Sequence, residues 1–123
     1  MTQEEKELLL KDLCARLPYG VKVEYNGKVY SLSRPYINFM CIINGAGEEF
    51  PSVEKCKPYL RPMSSMTEEE KETYECFFNE DGLINCSFYV YVDWLLEHHF
   101  DYRGLIHMGL ALEATNDMYV IKN

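Results

Sequence analysis

The stretch Val21-Lys22-Val23-Glu24-Tyr25-Asn26-Gly27-Lys28-Val29-Tyr30-Ser31-Leu32 carries two independent signals that agree. Asn26-Gly27 supplies the residue pair that a type I′ turn requires, because both central positions need a positive φ. On either side the apolar residues recur every second position, the period of a half-buried strand. Folding the chain about a two-residue loop sets Tyr25 opposite Lys28, Val23 opposite Tyr30 and Val21 opposite Leu32. Val21, Val23, Tyr30 and Leu32 then share one apolar face, so turn chemistry and hydrophobic pattern specify the same hairpin.

Outward from this hairpin, Arg34-Pro35 marks a break and residues 37–43 read as a third strand. Asn44-Gly45-Ala46-Gly47 is a turn and residues 48–50 a short return strand. Residues 52–57 read as one helical turn, and Tyr59-Leu60-Arg61 is held extended between Pro58 and Pro62. These strands form a small curved antiparallel sheet, and for residues 20–62 an SH3-like barrel and an open meander both fit. Upstream, Thr2 with Glu5 forms a capping-box pattern, Leu9, Leu13 and Leu17 recur every four residues, and Pro18 ends a helix over 3–17. Downstream, Thr67 with Glu70 repeats the box and starts a helix over 68–80, with Gly82 as its left-handed stop. Residues 83–92 alternate, with Ile84, Cys86, Phe88, Val90 and Val92 on one side and Tyr89 and Tyr91 on the other, which reads as a strand. Asp93 caps a helix over 94–99, and residues 110–114 and 118–121 are candidate closing strands. The expected architecture is a single α+β domain over 1–123: a curved sheet covered by helices 3–17 and 68–80, with a C-terminal strand–helix–strand segment.

The chain has 123 residues and a net charge of -8, and residues 64–101 hold ten acids against one base. A nonspecific grip on nucleic acid needs basic side chains that displace counterions, so that class is disfavoured. No apolar run reaches the 18 residues of a membrane span, and the acidic start Met1-Thr2-Gln3-Glu4-Glu5 carries no export signal, which implies a cytoplasmic protein. Cys14, Cys41, Cys56, Cys76 and Cys86 are odd in number and contain no CxxC pair, so buried thiols are expected rather than disulfides or zinc.

Chemistry-bearing groups are sparse. His98, His99, Asp101 and His107 are the densest set, but adjacent histidines on a helix point about 100° apart and the HExxH spacing is absent. No metal or cofactor is expected. The 44–47 turn lacks the Gly-Lys-Ser/Thr ending of a phosphate-binding loop. Ten tyrosines suit an interaction surface, since each covers apolar area and keeps a polar handle. The first reading is therefore a non-enzymatic interaction protein, using Tyr89 and Tyr91 against a protein partner with a basic patch or in a homodimer. The second is a small-ligand or nucleotide sequestering protein, or an enzyme acting on an anionic nucleotide. Arg34, Arg61 and Arg103 would act as phosphate forks and Tyr36, Tyr59 and Tyr102 as stacking platforms.

Residues 12–21 (DLCARLPYGV), 57–70 (KPYLRPMSSMTEEE), 94–106 (WLLEHHFDYRGLI) and 109–114 (GLALEA) resemble a family of small uncharacterised proteins from gut Bacteroides and their prophages. That resemblance implies a cytoplasmic accessory product of a phage or integrated element, and it brings no catalytic residues with it.

Overall fold

The Asn26-Gly27 turn forms in the computed structural model, which describes residues 1–115 and 117–119, with φ of 52° and 75° at its two central positions. Strands β1 (Lys22–Tyr25) and β2 (Lys28–Pro35) pair antiparallel with Tyr25 opposite Lys28 and Val23 opposite Tyr30. The Leu32 N–H donates to the Val21 carbonyl at 2.8 Å, extending that register by one further pair. All four apolar residues of the face are buried. Nothing lies within 4 Å of where a Gly27 Cβ would stand, so a side chain there meets only the backbone's own objection to positive φ. Gly27→Val should lower stability by about 1–2 kcal/mol in urea titration and leave the register intact, with slow amide exchange on both arms.

Strands β3 (Met40–Asn44), β4 (Gly47–Glu49), β5 (Lys57–Leu60) and β6 (Leu112–Glu113) complete a six-stranded sheet in the order β4-β3-β2-β1-β5-β6. A one-turn helix at Val53–Lys55 precedes β5, matching the expected turn in 52–57. The sheet is open, which decides for the meander over a closed barrel. It is also mixed rather than wholly antiparallel, because β6 joins β5 in parallel with Tyr59 opposite Leu112.

Helix α1 (Gln3–Arg16) carries the Thr2–Glu5 capping box and buries Leu9 and Leu13 against the sheet. The core combines these with Val21, Val23, Tyr30, Leu32, Met40, Ile42 and Leu60, and is closed by Leu105, Leu110 and Ala111 from the C-terminal loops. Helix α2 (Glu68–Cys76) keeps its Thr67–Glu70 box but ends four residues sooner than residue 80, and its rings pack on helix α3 instead of entering this core.

The strand expected over 83–92 is a correction. Residues 88–97 form α3 (Phe88–Glu97), which also absorbs the start of the helix assigned to 94–99. The aromatic and β-branched run satisfies period 2, yet Tyr91, Trp94, Leu95 and His98 also fall at helical spacing, and the tertiary contacts of that stripe select the helix. Of the closing strands, residues 110–114 contribute only β6, Met118 and Tyr119 lie in a turn, and residues 120 and 121 lie outside the described residues. Among the described residues no helix is long and apolar enough to cross a membrane.

Candidate functional site

Two of the three candidate arginines are held by internal partners. Arg61, leaving β5, makes a two-pronged ion pair with Glu70, Nη1 to Oε2 at 2.8 Å and Nη2 to Oε1 at 2.7 Å. It also donates to the His98 and Ser65 carbonyls and lies 4.3 Å over the Phe100 ring. Burial works to raise the Glu70 carboxyl, but bonds from Arg61 and the Thr67 N–H outweigh it and hold the group below the ordinary carboxylate value. Arg103 donates through Nε to Asp12 at 3.1 Å and stands over Tyr102 at 5.0 Å. Tyr59 offers its carbonyl to the Tyr119 hydroxyl at 2.7 Å. Tyr59, Arg61, Tyr102 and Arg103 therefore knit β5, α1, α2 and the chain after α3 together, and they do not converge on a ligand site. Arg34 and Tyr36 do come together, at one cleft beside the β2–β3 connection.

The histidine-rich segment is similarly committed. His98 Nδ1 donates to the Trp94 carbonyl at 2.9 Å and its ring packs on Trp94 at 4.5 Å. His99, in left-handed backbone with φ of 63°, stacks on Tyr119 at 3.8 Å. The Asp101 carboxylate accepts from the Leu105 and Ile106 N–H groups at 2.8 and 2.9 Å, fixing the turn that delivers Leu105 to the core. His107 is exposed. Among the described residues no three His, Cys, Asp or Glu side chains are placed to hold a metal ion.

The thiols divide. Cys41 and Cys56 are buried as expected, and burial followed by the nearby Glu24 charge pushes Cys56 up to about 11. Cys14 and Cys76 are exposed, a correction: each lies next to apolar residues in sequence but points off its helix.

Helices α2 and α3 face each other through aromatic side chains. Tyr74, Phe77, Phe78, Tyr91 and Trp94 form one ring cluster, with Phe77 and Phe78 edge-on to Tyr91 at 5.7 and 5.6 Å. Tyr91 is thus a packing residue, its hydroxyl pushed up to about 12 by burial and by Tyr74. Asn79 orders the connecting loop: its Oδ1 accepts from Asp81 and Leu83 N–H, its own N–H reaches the Leu83 carbonyl, and Phe78 bridges Ile84. Along this loop and the first turn of α3 the apolar side chains turn outward. Leu83 is 64% exposed, Phe88 62%, Tyr89 80% and Val90 54%. Phe88 touches Tyr91 at 6.1 Å, so the outward set is continuous with the cluster beneath it.

The acids of the same stretch of chain, among them Glu72, Glu75, Glu80, Asp81 and Asp93, are exposed. Of the two tyrosines singled out for partner binding, Tyr89 is on this surface and Tyr91 is under it. The edge strand that would have carried a homodimer contact is a helix. The outward group Leu83, Phe88 and Val90 was missed, because an alternating strand hides one apolar face and the first turn of a helix does not.

Comparison with protein-family models, with curated proteins and with solved structures gave no match to this chain.

Proposed function

We propose that the protein is a non-enzymatic binding module whose docking face is the segment 83–90, read by a protein partner with an apolar contact surface and a basic rim. The observation that carries this reading is the run of outward Leu83, Phe88, Tyr89 and Val90, backed by a packed aromatic cluster, in a stretch of chain (64–101) that holds ten acids against one base. Large aromatic side chains on a rigid support supply most of the energy in protein interfaces, while the surrounding charge selects the partner and steers encounter. Of the side chains best suited to chemistry, Arg61 and Asp101 spend their charged groups on internal partners, and Arg103 and His98 are each anchored to the fold through one ring or guanidinium nitrogen. The resemblance to the Bacteroides and prophage family supports setting this module in a phage or integrated element, as an accessory protein.

A photoreactive phenylalanine analogue at position 89 tests the reading in native lysate, with position 28 on the hairpin as control. The expected result is an adduct specific to position 89, with a partner of basic isoelectric point, fading as salt is raised. In the purified pair, Phe88→Ala should weaken binding about thirtyfold. Equal labelling from both positions, or none, removes the proposal. Sedimentation equilibrium of the purified protein separates the remaining occupant: a mass of two chains, reduced to one by Phe88→Ala, would assign the face to a second copy.

A further inference from the structure

Between Leu32 and Arg34 the β2–β3 register slips by one residue. Unbroken alternation would send Arg34 to the side of Leu32, into the core. The extra residue, Ser33, instead lets Arg34 pair with Cys41 and brings its guanidinium onto the other face of the sheet. There Arg34, Tyr36, Phe39, Cys41, Glu48 and Phe50 line a cleft of about 530 Å³, within the range of small-ligand sites.

One wall is aromatic and fixed in advance. The Tyr36 and Phe39 rings stack at 4.5 Å and 18°. Their turn is closed by the Tyr36 N–H on the Phe39 carbonyl at 2.9 Å, and it is pinned to the next loop by Met40 N–H on Pro51 O and Val53 N–H on Asn38 O. Phe50 stands 61% exposed in the same cleft. A shelf that is already ordered costs a ligand little conformational entropy.

The charges are the second clue. The Arg34 side chain is exposed and has no hydrogen bond, ion pair or ring contact among the described residues, and the same holds for the Glu48 side chain. One cation and one anion line a single cleft without pairing with each other. A phosphate dianion would meet only one guanidinium, opposed by a carboxylate, on a chain of net charge -8. A ligand carrying one charge of each sign on a planar apolar body meets no such mismatch. We infer that this cleft binds an aromatic α-amino acid, its carboxylate forked by Arg34, its ammonium on Glu48 and its ring against Tyr36, Phe39 and Phe50. This site is separate from the docking face at 83–90 and stands or falls independently of it.

The test is amide chemical-shift titration of the full chain with four probes: L-phenylalanine, L-phenylalaninamide, 3-phenylpropionate and adenosine monophosphate. L-Phenylalanine should give saturable shifts at residues 33–36 and 48–50. The amide, lacking the carboxylate, and the propionate, lacking the ammonium, should each bind at least about tenfold more weakly. Arg34→Gln should weaken L-phenylalanine to the same degree without further weakening the amide, and Glu48→Gln should do likewise without further weakening the propionate. Both side chains are exposed and unpaired, and unchanged shifts elsewhere in each variant verify its fold. Absence of saturable shifts in the cleft, equal binding of all three phenyl probes, or tighter binding of the nucleotide would each overturn the inference.

Discussion

Asp12→Ala should lower the stability of this protein by about 3–5 kcal/mol, the range for uncovering a buried charge. Asp12 and Arg16 are 0% and 1% exposed, one turn apart on α1. The carboxylate accepts from Arg16 Nε at 2.6 Å and Nη2 at 3.3 Å, and from Arg103 Nε at 3.1 Å. Arg16 Nη2 also reaches the Phe100 carbonyl at 2.7 Å, while Nη1 is buried without a partner. Deleting the carboxylate leaves a guanidinium deep in the protein with only the Phe100 carbonyl and, at 5.7 Å, the face of the Tyr102 ring to offset its charge. Against the roughly 5–15 kcal/mol typical of a small domain, that is a drop of about 10–20 °C in Tm. Arg103, 24% exposed, can turn to water, so the penalty falls on Arg16. Asp12→Leu combined with Arg16→Met should therefore recover much of the loss. A loss under about 1 kcal/mol for Asp12→Ala would mean that Arg16 reaches solvent by a route this packing does not provide.

The second large effect is acid sensitivity at His99. Burial above all, then the positive charges of Arg16, Arg61 and His98, lower its pKa from 6.5 to about 4. The folded protein thus refuses a proton that the unfolded chain accepts. Stability is full above the unfolded value near 6.5 and falls with pH toward 4, below which this group adds no further loss. Between pH 7 and 5 the loss from this one site is about 2 kcal/mol. His99→Asn accommodates the left-handed backbone and removes the titration, at the cost of the stack on Tyr119. Urea unfolding of both proteins at pH 5, 6 and 7 isolates the term, because the carboxylates contribute equally to each. The variant should be less stable at pH 7 yet lose about 2 kcal/mol less on acidification. Parallel pH profiles would show that the imidazole is reached by water.

What the sequence disclosed follows the range of the interactions involved. The 21–32 hairpin and both capping boxes are local: Asn26-Gly27, Thr2–Glu5 and Thr67–Glu70 lie within four residues, and each formed as read. The 83–92 segment was local too, but its composition fits two periods, and only the ring contacts from Tyr74, Phe77 and Phe78 separate them. Arg61 and Arg103 were indistinguishable from ligand forks, because Glu70 and Asp12, which hold them, lie nine and 91 residues away. Arg34 and Tyr36 were recognisable by type. Glu48 and Phe50 were not, since nothing in a short Gly-Glu-Glu-Phe strand announces what stands across the sheet from it.

The parallel pairing of β5 with β6 gives assembly a direction. Strands β1 to β4 meet through short connections, so each pairing closes a small loop and can form early. Leu60 and Glu113 meet across about fifty residues that include both α2 and α3, a closure that gains little until those helices already hold each other. The meander is therefore the seed and the helical pair a late addition. Until α2 and α3 have closed on each other, the rings of Tyr74, Phe77, Phe78, Tyr91 and Trp94 stay open to water, and a nascent chain presents its stickiest surface before it has a finished one.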